Sequence, residues 1–428
     1  MSKTLRLGIA GLGTVGVGVI KIVTQKANLL AMRSGLKIEI TAVSARSKDK
    51  DRGVDLSKFA WEDDPVALAK RDDVDVFLEL MGGADGPAKA ATEAALKAGK
   101  DVVTANKAML AIHGQELAEL AETTNAVLRF EAAVAGGIPV VKSLTEGLAG
   151  NGIDRVLGVM NGTCNYILTR METAGLPYED VFKEANDLGY LEADPTLDVG
   201  GIDAGHKLAI LASIAFGTKV NFDGMVLEGI ERITIEDIDQ ARDMGYAIKL
   251  LGVAQMTGRG LVQRMSPCLV PLTSPLGQLE NAMNMVVLEG DQVGQVVLRG
   301  AGAGEGPTAS AVMSDVMDIA RGTRLSTFGI PADRLDDAPA AQMDTAAPYY
   351  LRMQLKDKPG ALAKIATLLG DAGVSIDRMR QYSHAEPTAP VLIVTHKTTR
   401  GSLDNALEAM HKTDVLVDTP VSLRIENV

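Results

Sequence analysis

Residues 11–16 read Gly-Leu-Gly-Thr-Val-Gly, directly after one apolar run, Leu5–Ala10, and directly before another, Val17–Leu30. Strand, glycine turn and helix in that order are the context in which GxGxxG carries information. Gly11 permits the tight turn, Gly13 lets the backbone approach a pyrophosphate, and Gly16 lets helix and strand pack closely. The anion then sits at the helix N-terminus, where unpaired N–H groups point outward. A chain that opens this way is committed to a doubly wound, Rossmann-type α/β domain. Gly11, Gly13, Thr14, Val15 and Gly16 are its candidate cofactor contacts.

The following segments fit a parallel sheet. Lys37–Ser44 reads as a second strand, and Val74–Leu80 as a third, near-continuous apolar one. A cofactor with a free ribose 2′-hydroxyl favours an acid near the end of the second strand. Here the strand runs instead into Ser44-Ala45-Arg46-Ser47-Lys48, so Arg46 is a candidate partner for a 2′-phosphate. NADP is expected over NAD, with NAD still possible. Asp101–Thr104 is a further strand, and Lys107 follows it at the carboxyl edge, where ligands of open α/β sheets collect. Val127–Ala132 is read as another strand, running into Val134-Ala135-Gly136-Gly137-Ile138-Pro139. Glu131 and the carbonyls of that loop could hold a hard cation, or form a sharp turn without an ion. The nucleotide domain is expected over residues 1–140, with residues 305–335 packing back on it.

Composition narrows the function classes. A net charge of −12 argues against a nucleic-acid partner, whose affinity comes from neutralising phosphates. No apolar stretch has the length of a membrane span, and Lys3 and Arg6 lead straight into the first strand, so no membrane association and a cytoplasmic setting are expected. Two cysteines, Cys164 and Cys268, are too few for a disulfide scaffold or a zinc site.

From Gly150 the texture changes to mixed helices and alternating strands, an α+β substrate and dimerisation domain expected over residues 141–304. Its densest chemistry is Gly189–Leu208, GYLEADPTLDVGGIDAGHKL, with acids at Glu192, Asp194, Asp198 and Asp203 and a lysine at Lys207. Asp203 and Lys207 lie one turn apart if a helix runs through them. A second glycine-rich loop, Arg299–Thr308, opens a helix and offers Gly304 near an anion or cofactor. Residues 336–347 read as a linker. Residues 348–428 then give the element order βαββαβ, a ferredoxin-like module.

With these pieces in view, the chain resembles the homoserine dehydrogenases that carry a C-terminal ACT regulatory domain. The resemblance rests on GLGTVG, TANK at Thr104–Lys107, EAAVAGGIP at Glu131–Pro139, NGTCNYIL at Asn161–Leu168, the acid-rich segment, GAGAGEGPTASA and DKPGAL at Asp357–Leu362. It implies NAD(P)-dependent interconversion of L-aspartate 4-semialdehyde and L-homoserine, a step of threonine and methionine biosynthesis. It further implies Lys207 as proton donor, Asp203 as a catalytic and substrate-binding carboxylate, and Glu192 as partner of the substrate ammonium. Lys107 is implied near nicotinamide and substrate, with Asp198 in support. Gly189 and Gly304 match family cofactor contacts, and Glu131, Val134, Gly136 and Ile138 match the family's sodium site. A threonine effector at the ACT module and a homodimer or homotetramer complete the expectation.

Two rival readings arise. Cys164 stands where a threonine or serine is expected in the NGT-x-N stretch, which invites comparison with thioester-forming aldehyde dehydrogenases. The alternative for Cys164 is a small buried thiol under a helix start. A non-catalytic amino-acid sensor is the other rival, against which the Asp203/Lys207 pair argues.

Overall fold

The computed structural model describes residues 4–191, 194–341, 345–381 and 388–427. Its first sheet has six parallel strands: β1 (Thr4–Ala10), β2 (Lys37–Ser44), β3 (Ala60–Glu62), β4 (Val76–Glu79), β5 (Asp101–Thr104) and β6 (Leu128–Arg129). Between them run α1 (Thr14–Gln25), α2 (Ala27–Ser34), α3 (Pro65–Lys70), α4 (Pro87–Lys97) and α5 (Lys107–Thr123). The strand order is β3-β2-β1-β4-β5-β6, so the direction of winding reverses between β1 and β4. That reversal opens the crevice at the carboxyl edge where dinucleotides bind. All four residues of β4 are buried, as expected of a strand covered on both faces.

β6 is shorter than the expected strand over Val127–Ala132. Pairing with β5 stops at Arg129, Phe130 leaves extended geometry (φ −154°, ψ 32°), and Glu131–Ala133 form a 3₁₀ turn. The turn swings the Glu131 carboxylate onto the amides that open the next helix.

That helix is α6 (Val140–Lys142), followed by α7 (Gly162–Ala174), α8 (Tyr178–Asp187), α9 (Thr196–Val199), α10 (Ile202–Phe216) and α11 (Ile235–Asp243). They accompany a second sheet built on β7 (Ile153–Val159), β8 (Val226–Leu227), β9 (Tyr246–Thr257), β10 (Gly260–Pro271), β11 (Met283–Gly290) and β12 (Gly294–Ala301). Its antiparallel core runs β12-β11-β7-β9-β10. Helix α12 (Glu305–Arg321) then returns to the first sheet, where Ala309, Val312 and Val316 are buried in one cluster with Ile9 and Val19. The contact with α1 is tight. A Cβ on Gly18 would stand 2.8 Å from the Ala309 methyl, and Lys21 and Glu305 pair at 2.7 Å.

The C-terminal module comprises β13 (Tyr349–Lys356), α13 (Ala361–Asp371), β14 (Ile376–Gln381), β15 (Thr388–Thr395), α14 (Arg400–His411) and β16 (Val421–Ile425). This is the βαββαβ order of a ferredoxin-like fold. Its sheet is not separate. β16 pairs in parallel with β10, through Cys268 with Arg424 and Leu269 with Ile425, and joins both sheets into one of ten strands. Two buried acids fasten the seam. Glu426, 4% exposed, accepts Arg424 Nε at 2.6 Å, pairs with Arg264, and lies 3.6 Å from Arg155. Asp237 accepts the Tyr350 hydroxyl at 3.0 Å and two Arg352 N–H groups at 2.6 and 3.1 Å.

The 336–347 stretch is consequently no free tether. Asp336 bridges to Thr218, Ala340 to Leu261 and Ala347 to Thr398, while residues 342–344 lie outside the described ones. The approach is close enough to require glycine at 260. Gly260 has φ +128°, and a Cβ there would meet the Pro339 carbonyl at 2.2 Å. Among the described residues, no single helix is long and apolar enough to cross a membrane.

Candidate active site

The glycine turn after β1 is seated against the end of β4. Gly11 has φ +102°, and a Cβ there would lie 2.3 Å from the Leu80 carbonyl; one on Gly16 would lie 2.1 Å from Gly11 O. Gly13 differs: it is exposed, and a Cβ there would meet nothing within 4 Å. It forms the N-cap of α1 with no side-chain cap, and there is no acid in the first turn, where Thr14 is exposed and Val15 half-buried. Uncapped amides beside open space fit the pyrophosphate of a dinucleotide. Arg46 is exposed two residues beyond β2. Arg52 was not anticipated. It donates Nε to Leu12 O at 3.1 Å and Nη2 to Ser47 O at 2.6 Å, and its guanidinium lies 6.0 Å from the Trp61 ring centre. It therefore ties the loop after β2 to the glycine turn.

The carboxyl ends of β4 and β5 are braced by another unanticipated residue. Buried Glu79 accepts the N–H groups of Met81 and Gly82 at 2.8 and 3.1 Å and the Thr104 hydroxyl at 2.6 Å. Asn106 caps α5 by accepting from Met109 N, which sets Lys107 as the first residue of that helix. Lys107 Nζ reaches across to the second domain and pairs with Asp203 Oδ1 at 2.9 Å.

Asp203 lies in the first turn of α10, after Gly201 enters the left-handed region at φ +81°. A carboxylate there is favoured by the helix dipole. Lys207, one turn on, donates to Asp203 Oδ2 at 2.6 Å and to Met160 O at 2.8 Å. Asp203 is 6% exposed and Lys207 9%. Burial alone would raise the Asp203 carboxyl, but Lys207 and Lys107 together hold it well below the usual carboxylate range. The acid is thus a shared counter-ion, one oxygen to each lysine, where α5 of the first domain meets α10 of the second. An ammonium has three donors; Lys207 spends two on Asp203 and Met160, and one remains for a ligand oxygen.

Asn161 completes the cluster. Its side chain caps α7 by accepting Cys164 N at 2.7 Å, and its Nδ2 donates to Asp198 Oδ1 at 2.9 Å and Asp203 Oδ2 at 3.2 Å. Asp198 supports Asp203 through this amide. An asparagine before a helix reads in sequence only as a cap, so this second task was not visible. Asn284 donates to Met160 O at 3.1 Å, the carbonyl that also holds Lys207.

Cys164 is fully buried, and its Sγ lies 3.2 Å from Asp198 O. Burial, then the neighbouring Asp198 and Asp203, push its thiol up. A thiol closed off from solvent at the start of α7 fits the reading of a small buried residue under a helix start. Glu192 lies outside the described residues. Gly189, at φ +73°, follows α8 on the second domain, and its N–H donates to Asn186 O at 2.9 Å. Gly304 caps α12 at φ +116°, exposed.

At the candidate cation loop, Glu131 commits its side chain to the start of the next helix. Its two carboxylate oxygens accept Val141 N and Lys142 N, both at 2.9 Å, and so cap α6. Desolvation, then the neighbouring Asp315, push this carboxyl up to about 8. Among the described residues, no group of three or more His, Cys, Asp or Glu side chains could hold a metal. The carbonyls of Glu131 and Ile138 accept Val134 N at 3.3 Å and Val140 N at 2.8 Å. A cation at this loop would rest on backbone oxygens of Glu131, Val134, Gly136 and Ile138 alone.

Comparison with known proteins bears on this geometry. Family models match residues 11–131 (homoserine dehydrogenase, NAD binding domain), 139–317 (homoserine dehydrogenase) and 349–415 (ACT domain). The homoserine dehydrogenase of Neisseria gonorrhoeae is 42% identical over 434 residues, covering 100% of this chain and 99% of that one. That of Pseudomonas aeruginosa is 40% identical over 438 residues, covering all of both. The crystal structure of a homoserine dehydrogenase from Thiobacillus denitrificans superposes with a TM-score of 0.94 at 37% identity, over 99% of each chain. A hyperthermophilic archaeal homoserine dehydrogenase mutant in complex with NADPH gives 0.63 at 27% identity, over 74% of this chain and 97% of that one. The first sheet is accordingly a nicotinamide-cofactor domain, the C-terminal module is an ACT domain, and the chain belongs to the homoserine dehydrogenase family.

Proposed function

We propose that the chain reduces L-aspartate 4-semialdehyde to L-homoserine, with NADPH preferred and Lys207 as the proton donor. The observation that carries this reading is the Lys107–Asp203–Lys207 clamp, a counter-ion shared between the two domains. A bound nicotinamide cofactor supplies the hydride. Negative charge then develops on the aldehyde oxygen, and a preorganised donor beside it lowers the barrier. Lys207 holds its remaining N–H for that oxygen, fixed by Asp203 and the Met160 carbonyl. Lys107, at the nucleotide-domain side of the clamp, faces the substrate carboxylate, and Asp198 steadies Asp203 through Asn161. Arg46, with Arg52 fixing the adjacent loop, supports the 2′-phosphate preference. A sodium ion, when bound, would be held by the backbone oxygens of Glu131, Val134, Gly136 and Ile138.

The same reading places the enzyme in the cytoplasm, in threonine and methionine biosynthesis, as a homodimer or homotetramer. It gives the ACT domain a threonine effector gripped by the amides of the Asp357–Gly360 turn. The catalytic assignment is tested by Lys207→Ala. Turnover is expected to fall by roughly 10²–10⁴-fold, while NADPH affinity, measured by cofactor fluorescence, stays near that of the parent. Turnover equal to the parent's overturns it.

A further inference from the structure

A second cavity lies away from the lysine clamp, at the junction of the ACT domain with the second domain. It holds about 500 Å³, within the range of small-molecule sites, roughly 300–1,000 Å³. Both domains line it: Glu228 and Arg232 from the segment between β8 and α11, Arg400 and His411 from α14, and Thr419 and Ser422 around the start of β16. Its charges have a definite pattern. Arg400 is held through Nε by both Asp404 oxygens at 2.9 and 3.1 Å, which leaves its terminal amino groups to other acceptors. Glu228, Arg232 and Arg400 line the same cavity. Two guanidiniums flanking one carboxylate suit a ligand bearing both signs. A polyanion would meet Glu228, and a simple cation would meet the arginines. Hydroxyls at Thr419 and Ser422 and apolar walls at Ile233 and Leu407 are sized for a short side chain.

One wall of this cavity rests on β10 and on the turn that precedes α10. Glu228 N donates to Met265 O at 2.9 Å, and Ile230 N donates to Val199 O at 3.0 Å. Gly229 fits between them without clearance. A Cβ there would stand 2.5 Å from Val199 O and 3.0 Å from Gly200 Cα. Val199–Gly201 is the turn that joins Asp198 to α10, and so to Asp203 and Lys207. A shift of the Glu228–Ile230 segment is passed to that turn through the bond from Ile230 N to Val199 O.

We propose that this junction cavity binds a small dipolar α-amino acid, with its carboxylate on Arg232 and Arg400 and its ammonium on Glu228. Occupancy alters turnover through the Val199–Gly201 turn. The inference takes from the proposed function only the regulatory role of the ACT domain, and its site is distinct from the Asp357–Gly360 turn.

The test uses the full-length enzyme and each of the protein L-amino acids as probe, one at a time. A ligand is read by the rise in Tm with concentration and by its effect on steady-state reduction. At least one amino acid is expected to raise Tm and change turnover severalfold. Both effects are expected to vanish in Arg232→Ala and Glu228→Gln, whose side chains are exposed and whose basal activity should match the parent's. If an amino acid acts on the parent and equally on both variants, the cavity is not its site, though regulation by amino acids stands. If none changes Tm or turnover of the parent, both the cavity and the regulatory reading fall.

Discussion

Asp203→Asn keeps the shape of the clamp and removes its charge. In the parent, the carboxylate takes Lys207 at 2.6 Å, Lys107 at 2.9 Å and the Asn161 amide at 3.2 Å. A carboxamide offers one acceptor oxygen and a donor group in place of the second oxygen. Whichever way it turns, its NH₂ faces either an ammonium or the Asn161 amide, and two lysines lose their common counter-ion. Breaking a buried ion pair by removing one partner costs about 3–5 kcal/mol. The Lys107 end is partly solvated, with 29% of that side chain exposed, so the lower part of the range is expected. Urea unfolding should therefore show a loss of about 3 kcal/mol, with the folded state still dominant at room temperature. The effect on turnover is separable. Lys207 keeps its bond to Met160 O but loses the contact that aims it, and loss of one preorganised donor is worth roughly 10²–10³ in kcat. Urea unfolding and stopped-flow NADPH oxidation on the same sample give both numbers. A variant that loses stability but retains kcat within threefold of the parent would refute the argument that the shared carboxylate positions the proton donor.

The cofactor reading predicts that Arg46→Asp lowers kcat/KM with NADPH by roughly tenfold, the low end of 1.5–3 kcal/mol for a charge-assisted bond at an exposed site, while NADH is little affected. An unchanged NADPH to NADH ratio would remove Arg46 from the 2′-phosphate site. Buried Lys249, on β9, gives a pH prediction. Desolvation lowers its ammonium from 10.5 to about 8 in the folded state. Between those values the unfolded chain binds more protons, so stability rises with pH. Measured against Lys249→Met, the parent should gain on the order of 3 kcal/mol between pH 8 and 10.5. A flat difference across that window would show that the lysine titrates normally.

The parts of this molecule that were legible in the sequence are those written in local patterns. GLGTVG between two apolar runs dictated the β1–turn–α1 unit, and the Asp203/Lys207 spacing dictated a shared helix face. The βαββαβ order of the last domain came from turn residues and alternation alone. What stayed hidden depends on partners far apart in the chain. Glu131 looked like a cation ligand beside a glycine loop; only the fold shows that α6 turns its amides onto both oxygens. Asn161 stands in sequence only as the first residue of NGTCNYIL, and its bonds to Asp198 and Asp203 cross some 40 residues of sequence. The Ala- and Asp-rich stretch at 336–347 carried linker composition, and nothing local announced its bridges to Thr218 and Leu261.

The strand that joins the two sheets also sets an order of assembly. β10 is complete by Pro271, yet its parallel partner begins only at Val421, roughly 150 residues later. While the ribosome makes that interval, the Cys268–Leu269 edge of β10 presents unpaired backbone groups, and such an edge is a template for foreign strands. β13 waits in the same way for its β16 neighbour. The seam is thus among the most non-local contacts of the fold and forms late. A nascent chain stalled short of Val421 carries two open edges at once, and molecular chaperones would be expected to engage it there.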